Sequence, residues 1–469
     1  MRKNDLIYES LVDLLQDCQI FDFLIRDYQN KLKTAQSSTI VVLLRDDLRQ
    51  LKDENLALGN EIKKITDEQS LCSCIGKKRS LFSRLHELAG LVGSAVVMTH
   101  WQSPASEQVI VDNVGSLKGK IKATINDYTR DQHVLGNAFE EIYRKQLIPI
   151  RRTIPLFAYA VSSGMAAMTT AALFVLGETQ KESCILLGKS CYFETKQLVR
   201  KMFGDRIKEI DVSSMSELSE SIRLHAPSAI FIDLIGNEPE MTVINVQSVI
   251  ACIKNISRQH IHLVVDISAR TSLKLLISSF IMPKNVSIIG VESLNKLLQF
   301  GLDRVTAGVV WGTGFKAMKL YDYRDHAGTN CPDSTIATLP TPNKKFVSLY
   351  MKRIIRNNAS LGNRLNGNNK RGPFIILTLK NNTKRNLNNF VSRVLRIAKK
   401  RSIPLVFGTS FGLATTRVYV IAMHTQYEKP FLRICAGTET AWEIDRLIRS
   451  VMLRLDQVAT RVSREPRRK

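Results

Sequence analysis

The sequence predicts an α/β protein built on a mostly parallel sheet with helices on both faces. A smaller C-terminal α+β domain and an N-terminal helical extension flank it. Three observations carry this. Residues 1–90 contain no proline and show helical apolar spacing. Between 91 and 335, short unbroken apolar runs alternate with amphipathic segments, as in a sheet covered on both faces. Residues 336–469 mix long amphipathic helices with short β-rich runs.

In chain order, the extension contains a heptad pattern. Val41, Leu48, Asn55 and Ile62 occupy one core position; Leu44, Leu51, Leu58 and Ile65 occupy the other. The single Asn and the Leu-rich second position suit a short parallel two-stranded coil. An antiparallel hairpin packed on its own chain satisfies the same pattern, and Gly59 weakens the coil. The stretch 156–177 carries no charge and is long enough to span a bilayer. Its centre, Ser162-Ser-Gly-Met-Ala-Ala-Met-Thr-Thr170, is too small and hydroxylated for that, so a buried helix is expected. Strands are expected at 183–187, 207–212, 229–233, 262–265, 286–290 and 307–311, with helices at 214–224 and 246–259 between them. Residues 328–344, rich in Pro, Gly, Ser and Thr, read as the interdomain connection. Beyond it, helices are expected at 346–366, 387–401 and 441–458, and strands at 374–378, 417–421 and 431–434.

The net charge of +24 is concentrated at one end: residues 344–469 hold 27 Lys and Arg against 6 Asp and Glu. Such a segment is able to attract nucleic acid or anionic lipid. It has no zinc spacing, no arginine–aromatic repeat and no recognisable nucleic-acid module, so a solvated basic surface is the favoured reading. The eight cysteines are scattered, and Cys72 and Cys74 are too close for a zinc knuckle. Reduced thiols, a cytoplasmic location, no membrane segment and no export signal are expected, the last because acids fall where a signal peptide needs its apolar stretch.

The chemistry centres on Lys296, in Val291-Glu-Ser-Leu-Asn-Lys-Leu-Leu-Gln-Phe300, and on Asp266, which ends the β-rich run Ile261-His-Leu-Val-Val-Asp266. An ammonium in apolar surroundings is disfavoured as the charged form, and a neutral lysine is a nucleophile able to form a Schiff base. A lysine paired with a carboxylate at a strand end is what pyridoxal phosphate needs: one group for the aldehyde, the other for the ring nitrogen. A lysine among leucines is also compatible with a surface residue whose stem snorkels. Ser163-Gly164-Met165 precedes a run of helix formers and suits either a phosphate seat at a helix start or an ordinary buried capped helix. Tyr192 follows an expected strand and is suited to stack on a flat ring, or to serve as a loop tyrosine.

These residues occur in an order that resembles the fold-type I pyridoxal phosphate enzymes, specifically the Cys/Met-metabolism group of cystathionine γ-synthase, the cystathionine lyases and methionine γ-lyase. Tyr128-Thr-Arg130 resembles the family's Tyr-Ser-Arg, which reaches the cofactor phosphate of a neighbouring subunit. Ser163-Gly164-Met165 resembles the phosphate loop, and Tyr192 the ring-stacking tyrosine. Asp233-Leu-Ile-Gly-Asn237 resembles Glu-x-Pro-x-Asn, whose Asn approaches the ring hydroxyl. Asp266 matches the partner of the ring nitrogen, and Ser268 stands for a family Thr. Ser293-Leu-Asn295-Lys296 resembles Ser-x-Thr-Lys, which makes Lys296 the Schiff-base lysine and Ser293 a phosphate ligand. Ser410-Phe-Gly412 and Phe431-Leu-Arg433 resemble the two pieces that hold the substrate carboxylate, with Arg433 the bidentate donor.

The resemblance covers residues 90–469. It implies a homodimer or homotetramer with shared active sites, acting on a small amino acid by β/γ-elimination or γ-replacement. Departures are concentrated around the reacting groups. The family's Asp-Asn-Thr-Phe-Ala-Thr-Pro is Asp266-Ile-Ser-Ala-Arg-Thr-Ser272, Leu297 follows the lysine in place of Tyr, and Asp233 and Ile235 replace Glu and Pro. Three alternatives therefore stay open: a biosynthetic enzyme of different chemistry on the same cofactor, a transaminase, and an inactive scaffold with a basic interaction surface.

Overall fold

The proline-free N-terminal segment forms three helices: α1 (Lys3–Thr34), α2 (Thr39–Ile62) and α3 (Glu68–Val97). The computed structural model describes residues 3–35, 38–97, 134–148, 154–273, 283–365, 372–377, 379, 383–421 and 430–452. Ser38 caps α2 by accepting a hydrogen bond from the Val41 N–H. The heptad stripe Val41, Leu44, Leu48, Leu51, Asn55, Leu58 and Ile62 is buried within this bundle. Asn55 Nδ2 donates to the Cys18 carbonyl of α1 at 3.0 Å. Of the two readings of the heptad, the intramolecular one is observed, and the stripe does not face a second chain.

The bundle is bonded to the C-terminal part of the protein. The Asp13 carboxylate meets Arg353 Nε at 2.9 Å and Arg356 at 2.7 Å, and accepts from the Ala441 N–H at 2.9 Å. Tyr28 Oη donates to the Thr338 carbonyl. A buried carboxylate needs this many partners to offset its desolvation.

After α4 (Val134–Leu147) comes β1 (Leu156–Val161). The first part of the uncharged stretch is therefore a strand, where the sequence suggested helix. Phe157 and Tyr159 favour extended backbone, and β1 pairs antiparallel along its whole length with a strand 150 residues downstream. Only α5 (Gly164–Glu178) is helical; it starts at Ser163, whose Oγ accepts from the Ala166 N–H at 3.0 Å. There follow β2 (Ile185–Gly188), α6 (Phe193–Phe203), β3 (Ile207–Ile210), α7 (Met215–His225), β4 (Ala229–Asp233), α8 (Val246–Ile256), β5 (Ile261–Asp266), β6 (Val286–Ser293) and β7 (Gly308–Thr313).

The seven strands lie in the order β1-β7-β6-β5-β4-β2-β3, with β7 alone antiparallel to its neighbours. Successive residues face opposite layers: Phe231, Val264 and Ile289 pack with α5 and α6, while Ile230, Leu263 and Ile288 pack on the side of α7 and α8. Nearly continuous apolar strands are the sequence signature of burial on both faces.

Past α9 (Leu320–His326), α10 (Asp333–Thr338) and α11 (Lys344–Leu365), a second sheet runs β8-β11-β10-β9. Its strands are β8 (Ile375–Leu377), β9 (Val406–Phe407), β10 (Arg417–Ile421) and β11 (Phe431–Cys435). The two-residue β9 carries too little pattern to be read from sequence. Helix α12 (Lys384–Lys400) and α13 (Ala441–Leu447) cover this sheet, and α13 gives way to a wider π turn at Ile448–Met452, inside the single helix expected at 441–458. All eight cysteines are free thiols. Among the described residues no helix is long and apolar enough to cross a membrane.

Candidate functional site

A parallel sheet delivers the ends of its strands to one edge, where ligands of such folds sit. Here β4 ends at Asp233 and β5 at Asp266, in register with each other, while β6 ends at Ser293. These ends, the start of α5 and the loops of the second sheet enclose a cavity of about 280 Å³.

One end of the cavity is built for an anion. The first N–H groups of a helix have no partner within it and carry the positive end of its dipole. Gly164 opens α5 against Ser293: a Cβ on Gly164 would lie 2.6 Å from Ser293 Cβ, so the close approach of the two segments requires glycine. The Ser293 N–H donates to Ser268 Oγ at 2.8 Å, and the Ala307 N–H donates to Asn295 Oδ1 at 3.0 Å, which fixes the chain on either side of the Ser293 hydroxyl. Backbone amides and a serine hydroxyl around a glycine-sized gap form a donor set suited to phosphate.

The same cavity is lined by two carboxyls, Asp233, which is buried, and Asp266, which is half-buried. Asp266 Oδ1 accepts from the Ser268 N–H at 2.8 Å, and Asp233 Oδ2 accepts from the Tyr192 N–H at 2.8 Å. Asp233 Oδ1 is buried with no hydrogen-bond partner among the described residues. Burial raises the Asp233 pKa well above the carboxylate range, and the Asp266 charge adds to it; burial raises Asp266 as well. Two acids of this kind, one with an unsatisfied oxygen, fit a cationic ring nitrogen. Burial, with Glu194 beside it, pushes the Tyr192 phenol up to about 12, so its ring is presented neutral.

Lys296 lines this cavity as well. Its Nζ donates to Ser410 Oγ at 2.7 Å and stands 5.2 Å from the centre of the Phe411 ring. Burial lowers its pKa and the Arg433 charge lowers it further, against the pull of Asp266. A lysine so placed gives up its proton more readily than a surface lysine. Ser410 takes a positive φ of 77°, and Gly412, at φ 74°, is pressed against the Lys296 carbonyl: a Cβ there would lie 2.8 Å away. The strained turn holds the serine hydroxyl against the amine.

Arg433 on β11 closes the site. It donates to Asn237 Oδ1 at 2.8 Å and Thr409 Oγ1 at 3.0 Å, and its guanidinium lies 5.4 Å from the Phe374 ring centre. Its Nε is buried with no hydrogen-bond partner among the described residues. A guanidinium positioned from both sides is suited to a carboxylate.

The structure brings twelve sequence-predicted residues to this one cavity: Ser163, Gly164, Met165, Tyr192, Asn237, Asp266, Ser268, Ser293, Asn295, Lys296, Ser410 and Arg433. Tyr128 and Arg130 lie outside the described residues. Sequence reasoning quoted Asp233 and Phe411 within motifs without giving either a place in the site, and missed Thr409, Phe374 and Glu194 altogether. Asp233 carried a signal, since it ends an apolar strand just as Asp266 does; Phe374 and Thr409 carried none.

The model of the Cys/Met metabolism PLP-dependent enzyme family matches residues 94–366. Among curated proteins, the bifunctional enzyme flvA of Aspergillus flavus is 22% identical over 314 residues, 62% of this chain. The match spans only 38% of that relative's length. Two structures of cystathionine γ-synthase from Xanthomonas oryzae pv. oryzae superpose with TM-scores of 0.56 and 0.54 at 14% and 15% identity. They cover 79% and 76% of this chain and 98% and 100% of theirs. The structure of metB from Corynebacterium glutamicum gives 0.52 at 17% identity, covering 73% of this chain and 90% of that one. At these identities the structural likeness is one of fold. The family match extends over more than half of the chain, which therefore belongs to the Cys/Met metabolism PLP-dependent enzyme family.

Proposed function

We propose that this protein is a lyase or transferase that uses pyridoxal phosphate for elimination or replacement at the β or γ carbon of a sulfur-type amino acid. The observation that carries this reading is the convergence of Lys296, Asp266 and Arg433 on one cavity that also holds a phosphate-type donor set. Bound pyridoxal phosphate supplies the electron sink that stabilises negative charge next to the substrate nitrogen. The residues of the chain supply the rest. The start of α5 and Ser293 bind the phosphate, Tyr192 orients the ring by its face, and Asp266 holds the proton on the ring nitrogen. Arg433 binds the substrate carboxylate. The Lys296 amine, whose pKa burial lowers, takes the proton from Cα and delivers it to the leaving side, while Ser410 keeps the amine aimed. The apolar walls, Ile235, Phe374 and Phe411, limit access of water.

The test is a turnover screen of O-acyl homoserines, cystathionine and methionine with the holoenzyme, alongside Lys296→Ala. Release or transfer of the β or γ substituent by the wild type, absent in the variant, is expected. A wild type that takes up no cofactor would end this reading. The resemblance of Tyr128-Thr-Arg130 also supports a homodimer or homotetramer with shared sites, and a monomeric holoenzyme in sedimentation would contradict that.

A further inference from the structure

A second cavity, of about 260 Å³, lies away from the candidate active site, between the N-terminal bundle and the C-terminal part of the chain. Its volume is near the lower end for small-molecule sites, which run from about 300 Å³ upward. Part of its lining is aromatic. Phe21 and Phe82 come from the bundle with ring centres 6.1 Å apart, and Phe300 and Tyr350 meet edge to face at 5.6 Å. The lining also carries charge, with the acids Asp17, Glu439 and Glu443 and the bases Lys78 and Arg79.

The state of these charges selects the ligand. Lys78 Nζ is engaged by the Asp17 carboxylate at 2.7 Å and the Thr438 carbonyl at 3.1 Å. Arg79 is paired with Glu443. Both cations are therefore committed within the protein. Glu439 is the remaining acid. One of its oxygens accepts from the Thr416 N–H, while Oε2 is buried with no hydrogen-bond partner among the described residues. The residue is only 7% exposed, and an acceptor left unpaired at that depth is destabilising. Aromatic rings lining the same cavity as an acid with an unpaired oxygen suit an organic cation, through the ring quadrupoles and through the carboxyl as acceptor. A ligand carboxylate would have to break an existing ion pair to find a partner.

We infer that this cavity is a binding site for a small organic ammonium ion with an apolar body, the ammonium directed to Glu439 and the body held by Phe21, Phe82 and Phe300. The bundle supplies part of the wall, which gives the N-terminal extension a role the family resemblance does not assign. The wall is continuous with the catalytic loops: Phe300 follows Lys296 by four residues, and Tyr350 Oη donates to the Gly412 carbonyl at 3.0 Å, next to the turn that carries Ser410. Arg79, whose side chain is 47% exposed, joins the lining to the surface.

The experiment is calorimetric titration of the holoenzyme with N,N-dimethylbenzylamine, a tertiary amine that carries a proton at neutral pH and cannot condense with an aldehyde. Parallel titrations use 3-phenylpropionate and L-phenylalanine, and the variants are Glu439→Gln and Phe82→Trp. Saturable binding of the amine is expected, weakened about tenfold in a variant that keeps the wild-type melting profile. The tryptophan shrinks the cavity while leaving the acid in place, so it remains informative if the glutamine variant does not fold. No saturable binding by the wild type, or wild-type affinity in both variants, overturns the proposal. Preferential binding of phenylpropionate or phenylalanine overturns the assignment of the ligand's charge.

Discussion

Replacing Gly164 with alanine tests how the anion end of the site is built. The added Cβ would stand 2.6 Å from Ser293 Cβ, 3.1 Å from Ser293 Cα and 3.2 Å from Ser293 Oγ, where ordinary contact begins at 3.4 Å. The atoms it meets are close to the backbone, so no side-chain rotation relieves the contact; the start of α5 and the end of β6 must part by roughly an ångström. Overpacking of this kind costs about 1–3 kcal/mol. The cofactor-free protein relaxes by opening the gap. Binding then has to close it again or forgo one of the two donor sets, so the cost is felt in cofactor affinity. At 1.4 kcal/mol per tenfold, Gly164→Ala should bind pyridoxal phosphate about 5- to 150-fold more weakly. The assay is titration of the cofactor-free protein with pyridoxal phosphate, followed by absorbance, with thermal unfolding of the same sample as control. Wild-type affinity in the variant would refute the reasoning, whatever happened to its melting temperature, because the two segments would then not need to meet on one phosphate.

Three further outcomes are expected. Arg433→Lys should raise KM for the amino-acid substrate about 10- to 100-fold in steady-state kinetics, since one ammonium cannot hold Asn237 and Thr409 at once and still present a fork to a carboxylate. Leu48→Ala, at a fully buried position of the heptad, should lower stability by about 2–5 kcal/mol in urea unfolding and leave the sedimentation coefficient of the native protein unchanged; dissociation would instead revive the intermolecular coil. The third concerns pH. Burial depresses the folded-state pKa of Lys296 below the 10.5 of an ordinary lysine, so between the two values the unfolded chain binds more protons and stability rises with pH. The penalty is greatest below the folded value and vanishes above the unfolded one. Cofactor-free Lys296→Met should therefore be more stable than wild type at neutral pH, with a gap that narrows toward pH 10 in urea titrations; a gap independent of pH would contradict the depressed ionisation.

Much of the candidate site was legible because its groups announce themselves locally. Asp266 ends an apolar run, Ser163 precedes helix formers, and Lys296 stands in an otherwise apolar segment. What escaped was whatever depended on register or on loops meeting across the cleft. Asp233 becomes a second acid only because β4 and β5 align it with Asp266. Thr409 and Phe374 reach Arg433 from separate loops of the small sheet's side of the cavity, and no spacing in the chain encodes that meeting.

The sequence by itself determined the alternation of strands and helices, the capped start of α5, the acid and the lysine, and the amphipathic stripe of α2. Each is a property of a few neighbouring residues and follows from periodicity, capping or charge. Tertiary structure decided the rest. An uncharged stretch without a clear period became β1 through Phe157 and Tyr159 because β7 was there to pair with it. The heptad stripe turned inward because α1 and α3 of the same chain offered it apolar surface at high effective concentration. Lys296 acquired its depressed ionisation from burial and from Arg433, which lies 137 residues away in the chain. Desolvation and Coulomb interactions act through space, so they exist only once the fold has brought their partners together.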